Sequence, residues 1–169
     1  IVNAQNWNTP DNHNIVIKGI AFDSGLQIHQ GSNYLLEDLS FKHKGFTVQI
    51  TDGVTLRNSS IIDVFRTESV SEDIWSPHIN RISGVFANDV DSLLIEGLFV
   101  DHTGWADDYL ANLSLEGGQP PSIYSQSLYL SYGNTDLTLR DSILMRGASF
   151  GAQVRSGGMI ENNVFLDNN

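Results

Sequence analysis

The stretch "LTLRDSIL", residues 137–144, alternates apolar and polar positions, then sets a charged residue beside an acid, then becomes apolar again. The same pattern occurs six times along the chain. The segments are "IVIKGIAF" (15–22), "YLLEDLSF" (34–41), "VTLRNSSI" (54–61), "LLIEGLFV" (93–100), "LTLRDSIL" (137–144) and "GMIENNVF" (158–165). Alternation with a period of two predicts β-strands, and a unit that recurs about every 20 residues, or every 40, predicts a repeat architecture.

Two columns of the aligned segments indicate how the repeats stack. The charged position alternates in sign along the chain: Lys18, Glu37, Arg57, Glu96, Arg140 and Glu161. The next position always holds a residue type that readily adopts a left-handed backbone: Gly19, Asp38, Asn58, Gly97, Asp141 and Asn162. We therefore predict a corner at the second column and, at the first, a ladder of opposite charges on neighbouring strands. Arg140 and Asp141 are then structural residues.

A second set of short strands precedes five of these segments, at 26–29, 48–51, 84–87, 128–131 and 152–155. Their alternation predicts one column that faces the core: Ile28, Ile50, Phe86, Leu130 and Val154. The neighbouring positions form two outward columns. One contains Gln27, Gln49, Val85, Tyr129 and Gln153, and the other contains His29, Thr51, Ala87, Ser131 and Arg155.

This architecture, with its Asn/Asp corner column and phrases such as "NIVIKGIAF" and "GGMIENNVF", resembles the right-handed parallel β-helix, or pectin-lyase-like, superfamily. The resemblance covers almost the whole chain. It implies an all-β fold: a right-handed parallel β-helix solenoid of about six coils, with two long loop insertions at one corner. We expect a single β-helix domain over residues 1–169, either as a whole protein or as a fragment of a larger β-helix protein. A leucine-rich repeat has a similar period, but its Asn-bearing consensus is not met.

The composition of the chain excludes or disfavours several classes of function. The chain has 9 Lys and Arg against 20 Asp and Glu, and this net charge of -11 disfavours nucleic acid as a partner. No apolar run is long enough for a membrane helix, so membrane insertion is not expected. The absence of cysteine excludes disulfides, thiolate metal sites and cysteine nucleophiles.

We expect a secreted or cell-surface location. Because no cap is evident after the last strand, we expect a further domain or subunit to cover the C-terminal end of the stack.

The two insertions, about residues 63–81 and 103–126, leave the same corner and are predicted to wall a groove along the adjacent sheet. Aromatic side chains on such loops suit the apolar faces of sugar rings, although they equally suit packing of the loops themselves. The candidate substrate-binding residues are Trp75, Trp105, Tyr109, Tyr124, Gln49, Gln153, His29 and His43. The Gln residues would serve equally well as a structural ladder. Asp107 and Asp108, with Glu116, offer oxygen ligands for Ca²⁺, or are solvated loop residues.

The corner that carries the insertions has its own column: Ser24, His43, Asp63, His102, Arg146 and Asp167. His102 and Arg146 fall on consecutive repeats, and Tyr129 and Arg155 lie on the strands that follow. The resemblance implies an enzyme that acts on polysaccharides. A lyase that cleaves uronate glycans by β-elimination must neutralise a carboxylate, abstract a proton and protonate the leaving oxygen. These steps suit Arg146 or Arg155, His102 and Tyr129 respectively.

Two other functions remain open. A glycoside hydrolase would need converging carboxylates, for which the candidates are Asp63, Asp101, Asp89 and Asp91. A non-catalytic module, either a glycan-binding adhesin or a stalk of a surface or phage protein, would need no catalytic group at all.

Overall fold

The computed structural model describes residues 14–67, 82–108 and 118–169, together with the backbone of residues 2–5. Every regular element among them is a β-strand. The strands are β1 (Val2–Gln5), β2 (Ile15–Lys18), β3 (Ala21–Phe22), β4 (Leu26–His29), β5 (Ser32–Glu37), β6 (Ser40–Lys42), β7 (Phe46–Arg57), β8 (Ser60–Val64), β9 (Val85–Glu96), β10 (Phe99–Thr103), β11 (Leu128–Leu130), β12 (Thr135–Arg140), β13 (Ile143–Gly147), β14 (Ala152–Val154), β15 (Met159–Glu161) and β16 (Val164–Leu166). No helix in the described ranges is long and apolar enough to cross a membrane.

The strands pair in parallel and form two sheets of ten and six strands. Three rows describe the pairing. The first row is β2, β5, the second half of β7, the second half of β9, β12 and β15. The second row is β3, β6, β8, β10, β13 and β16. The third row is β1, β4, the first halves of β7 and β9, β11 and β14. The predicted all-β class and the parallel stacking of the repeats are therefore confirmed.

The charge ladder lies at the end of the first row in the predicted register. Lys18 pairs with Glu37, Glu37 with Arg57, Arg57 with Glu96, and Glu96 with Arg140. Glu37 is the best connected member: its carboxylate lies 3.0 Å from Lys18 Nζ and 2.9 Å from an Arg57 guanidinium nitrogen. The hydrogen bond between Glu37 and Lys18 lowers the pKa of Glu37 and raises that of Lys18. Arg140 lies 3.2 Å from Glu96.

The predicted corner lies at the residue after each charged position of the ladder. All six residues of the Gly/Asp/Asn column have φ between 50° and 67°. The column at the opposite end of the second row is left-handed too, at His43, Asp63, His102, Arg146 and Asp167. Both insertions lie between a strand of the second row and the next strand of the third row, as predicted: one follows β8 and the other follows β10.

The interior of the first five repeats is apolar. Alternate residues of their strands point inward and form one continuous core. Its largest fully buried side chains include Tyr34, Phe41 and Phe46, and the rings of Phe22 and Phe41 stack with centroids 5.1 Å apart.

The predicted register of the third row is wrong in two repeats. The observed inward column is Ile28, Val48, Ala87, Leu130 and Val154. Ile50 was predicted to be buried, but it is 50% exposed, two residues past its expected place. In β9 the slip is one residue, which exchanges the faces of the strand. Phe86 therefore points outward, and Ala87 and Val85 are buried. The outward column is Gln27, Thr47, Phe86, Tyr129 and Gln153.

A stack of glycines sets this register. Gly25, Gly45 and Gly84 each immediately precede a strand of the third row, and each approaches the backbone of the next repeat closely. A Cβ on Gly25 would lie 2.6 Å from the Gly45 carbonyl oxygen, and one on Gly84 would lie 2.7 Å from the Ser127 carbonyl oxygen. At Gly45 an added Cβ would overlap the Gly84 carbonyl. The repeats can therefore approach each other here only without side chains.

We expect Gly45→Ala to lower the free energy of unfolding by about 2 kcal/mol or more, because the backbones of two repeats must separate to admit the methyl group. Urea denaturation measures the loss. Gly19→Ala is the matched control. Gly19 has φ of 67° but nothing within 4 Å of an added Cβ, so only backbone strain of about 1 kcal/mol is expected. Equal losses in the two variants would contradict the close approach.

Candidate functional site

A groove of about 520 Å³ runs along the outer face of the third row. Its floor is the outward column at Gln27, Thr47, Phe86 and Tyr129, with Gln49 beside it. One wall rises where the two insertions begin and end, and it includes Phe65, Arg66 and Tyr124. His43 and Lys44, at the same corner of the preceding repeat, also line the groove. Four strands spaced about 4.8 Å apart give the floor a length of about 14 Å, which suits an extended chain rather than a single small molecule.

The charge of the groove differs from that of the whole chain. Lys44, Arg66 and His43 line it, and the described residues of its lining include no Asp or Glu. Among the residues that the structure describes, the Arg66 guanidinium makes no salt bridge. A chain with a net charge of -11 thus presents a groove whose described lining holds the cations Lys44 and Arg66, together with His43, whose Nδ1 lies 2.9 Å from Asp23. Such a groove favours an anionic ligand.

Two aromatic rings stand on the floor. Phe86 and Tyr129 stack with centroids 5.7 Å apart and an angle of 5° between their planes. They lie on neighbouring strands, and the preceding strand carries the smaller Thr47 at the equivalent position. One face of the Phe86 ring is therefore covered by Tyr129, and the other faces the space above Thr47. A sugar ring can pack its apolar C–H face against such a surface.

Tyr129 also has a polar partner. The Arg155 guanidinium donates a hydrogen bond to the Tyr129 hydroxyl oxygen over 3.0 Å, and this bond raises the pKa of Arg155. Arg155 is exposed at the end of the following repeat. The phenol hydrogen of Tyr129 remains available to a ligand on the floor of the groove.

His102 is placed differently from the sequence-based expectation of a groove residue. It is 2% exposed. Its Nδ1 lies 3.0 Å from Asp63, and its Nε2 faces Asp107 at 3.5 Å without a hydrogen bond. The rings of Phe65 and Trp105 pack against it with centroids 4.8 and 4.3 Å away. His102 therefore joins the starts of the two insertions, and no described surface of the groove includes it.

Arg146 is likewise engaged within the protein. Its guanidinium makes two hydrogen bonds to Asp101, of 2.6 and 2.7 Å, and this hydrogen bonding raises its pKa. The Arg146 carbonyl accepts a hydrogen bond from Trp105 Nε1 over 2.9 Å. The adjacent strand positions predicted for His102 and Arg146 are confirmed by the pairing of β10 with β13. Of the four predicted catalytic residues, Tyr129 alone lines the groove as the structure describes it.

The predicted substrate-binding residues divide in the same way. Tyr124, Gln49 and His43 line the groove. Gln153 lies next to Tyr129 on β14, and His29 pairs with Gln49, but neither side chain is part of the described lining. Trp105 packs on His102, so it holds its loop down. Trp75 and Tyr109 lie outside the described residues.

The described carboxylates do not converge on the groove. Asp63 and Asp101 pair with His102 and Arg146. Asp89 accepts a hydrogen bond from Asn88. Asp91 accepts one from Thr135, the first residue of β12. This arrangement gives a glycoside hydrolase no support.

Asp107 and Asp108 have different partners. Asp107 faces His102, whereas Asp108 accepts a hydrogen bond from the Gly118 amide over 3.3 Å. Within the described ranges no group of three or more His, Asp or Glu residues is suited to hold a metal ion. Glu116, the third predicted Ca²⁺ ligand, lies outside those ranges.

The sequence-based candidates do not include the groove residues Thr47, Phe86 and Lys44, and Arg66 was expected only as a member of the first insertion. The first two were lost with the register of the third row. A signal for that register was present, since a glycine precedes β4, β7, β9 and β14 directly. Alignment on these glycines instead of on the motif Gln-Ile would have placed Phe86 on the outer face.

Comparison of the chain with protein-family models, with curated proteins and with solved structures gives no match.

We expect His102→Ala to lower the free energy of unfolding by about 2–4 kcal/mol, because it leaves a cavity between two rings and removes the partner of Asp63. The control is His43→Ala, in the same column. The His43 side chain is 53% exposed and also pairs with an aspartate, Asp23, so a loss of about 0.5 kcal/mol is expected. Thermal and urea denaturation measure both changes. A loss for His102→Ala as small as that of the control would contradict its structural role.

Proposed function

We propose that the chain forms a right-handed parallel β-helix solenoid whose groove binds an acidic polysaccharide. Three in-register rows of parallel strands around one core support the solenoid. Right-handedness is the rule for connections between parallel strands of one sheet. The finer resemblance to the pectin-lyase-like superfamily is part of this proposal.

One observation carries the ligand class: in an acidic protein, the described lining of the groove is free of carboxylates and holds Lys44, Arg66 and His43 beside stacked rings. Uronate sugars combine a flat apolar ring face with a carboxylate. The ring face suits Phe86, and the carboxylate suits a guanidinium or ammonium group. The length of the floor suits several consecutive sugars.

We further propose that the groove cleaves this polymer by β-elimination. The observation that favours it is the hydrogen bond that Arg155 donates to Tyr129, a residue of the floor. In this proposal, the Tyr129 phenolate, hydrogen-bonded to the Arg155 guanidinium, accepts the C5 proton of a uronate whose carboxylate is bound by Lys44 or Arg66. The C4–O4 bond breaks, a C4–C5 double bond forms, and the phenol returns the proton to the leaving oxygen. His102 and Arg146 then support the wall of the groove.

The same proposal includes a secreted or cell-surface location, where such polymers occur. It also includes a further domain or subunit over the last repeat.

Binding tests the groove. Calorimetry should detect binding of uronate oligosaccharides. Arg66→Gln should lower the affinity for them about tenfold without changing the affinity for neutral oligosaccharides, because a charge-assisted contact is lost.

Phe86→Ala should lower the affinity for acidic and neutral ligands alike, by about three- to tenfold, because a stacking surface is lost. The control is Tyr132→Ala. Tyr132 is 74% exposed and does not line the groove, so no change is expected. Failure of the wild-type protein to bind any acidic oligosaccharide would refute the proposed ligand class.

Cleavage is tested separately. Incubation with alginate, pectate and glycosaminoglycans should produce the ultraviolet absorbance of an unsaturated uronate. Tyr129→Phe should reduce the rate by about 100-fold or more at unchanged stability, because it removes the proton-transferring oxygen and keeps the ring. Binding without absorbance would refute the lyase and favour a non-catalytic glycan-binding module. Release of reducing ends without absorbance would favour a glycoside hydrolase.

A further inference from the structure

Gln119 lies at the end of the second insertion and is 5% exposed. It makes four hydrogen bonds that connect three separate segments. Its amide donates to the Arg66 carbonyl over 3.0 Å, and its side-chain oxygen accepts from the Arg66 amide over 3.1 Å. Its own carbonyl accepts from the Ala106 amide over 2.8 Å, and Nε2 donates to Ser125 Oγ over 3.2 Å.

The two bonds to Arg66 fix the start of the first insertion. Arg66 lies just beyond the end of β8 and belongs to no strand. Its backbone amide and carbonyl are both hydrogen-bonded to Gln119, which replaces the partner that a neighbouring strand would provide. Arg66 lines the groove, and Gln119 does not. The position of the Arg66 side chain therefore depends on a residue that lies 53 positions further along the chain and touches no ligand in the groove.

The surroundings of Gln119 leave it little freedom. The preceding residue, Gly118, is buried, and a Cβ there would lie 2.7 Å from Asp108 Oδ1 and 3.0 Å from the Arg66 carbonyl oxygen. Ala106 is fully buried against the same place. Close packing around an amide whose oxygen and nitrogen are both hydrogen-bonded holds one arrangement of the three segments.

We propose that Gln119 is a positioning residue that couples the two insertions and sets Arg66 at the wall of the groove, and thereby determines preference for acidic over neutral glycans. This inference rests on the proposed function. It differs from a purely structural role, which would weaken both kinds of ligand equally.

The test is Gln119→Met, which keeps the length of the side chain and removes its polar atoms. The ratio of acidic to neutral affinity should fall about tenfold, to the value of Arg66→Gln. Combining the two substitutions should lower the ratio no further, because both remove the same contact. Hydrogen exchange at the Arg66 amide should become faster. If Gln119→Met does not fold, Gln119→Asn, which is one methylene shorter, gives the same readouts.

Asn134→Ala is the matched control. Asn134 is a buried amide with three hydrogen bonds, to Val90, Ala87 and Ser131, and it does not line the groove. It should lose stability without a change in the affinity ratio. An unchanged ratio and a protected Arg66 amide in folded Gln119→Met would overturn the proposal. If the wild-type protein binds no acidic glycan, the proposed function fails, and exchange at Arg66 alone decides whether Gln119 couples the insertions.

Discussion

Backbone hydrogen bonds between successive repeats are the interaction on which the rest of the molecule depends. They run from strand to strand in all three rows, so each repeat is held by the two beside it. Parallel pairing in register places equivalent positions of successive repeats next to one another on neighbouring strands. This stacking makes an alternating charge column favourable, because each cation lies between anions, and it allows the glycines before the third row to meet. The groove is a further consequence, since its floor is one such column.

The sequence predicts the register of a row only where the residue types at its positions mark that register. The first and second rows could be placed, because a charged residue followed by Gly, Asp or Asn marks the corner in all six repeats. The third row has no such marker within its strands. There, a match between "LQIH" and "VQIT" suggested a register that differs from the observed one by two residues, since Leu26 pairs with Phe46. At β9 a slip of one residue reversed the faces of Phe86 and Ala87.

The site was harder to predict than the fold for a physical reason. Alignment gives the position of a backbone within the stack, but it does not show which side chains satisfy one another. His102 and Arg146 occupy their predicted positions along the strands, yet Asp63 and Asp101 bind them within the protein, away from the groove. Gln119 lies in an insertion with no repeat to align, so its contact with Arg66 across 53 residues could be found only from three-dimensional coordinates.

The contrast between an acidic chain and a groove without described carboxylates affects the rate of encounter as well as the final contact. At distances beyond the Debye length of about 8 Å, screening weakens the repulsion between this protein and a polyanion, whereas at low ionic strength the net charge of -11 acts over a longer range. With the proposed acidic ligand, salt would therefore have two opposed effects: it would speed the approach and weaken the proposed contacts of Lys44 and Arg66. An acidic polymer would associate fastest at moderate ionic strength, unlike its association with a protein that is cationic throughout, which salt only slows.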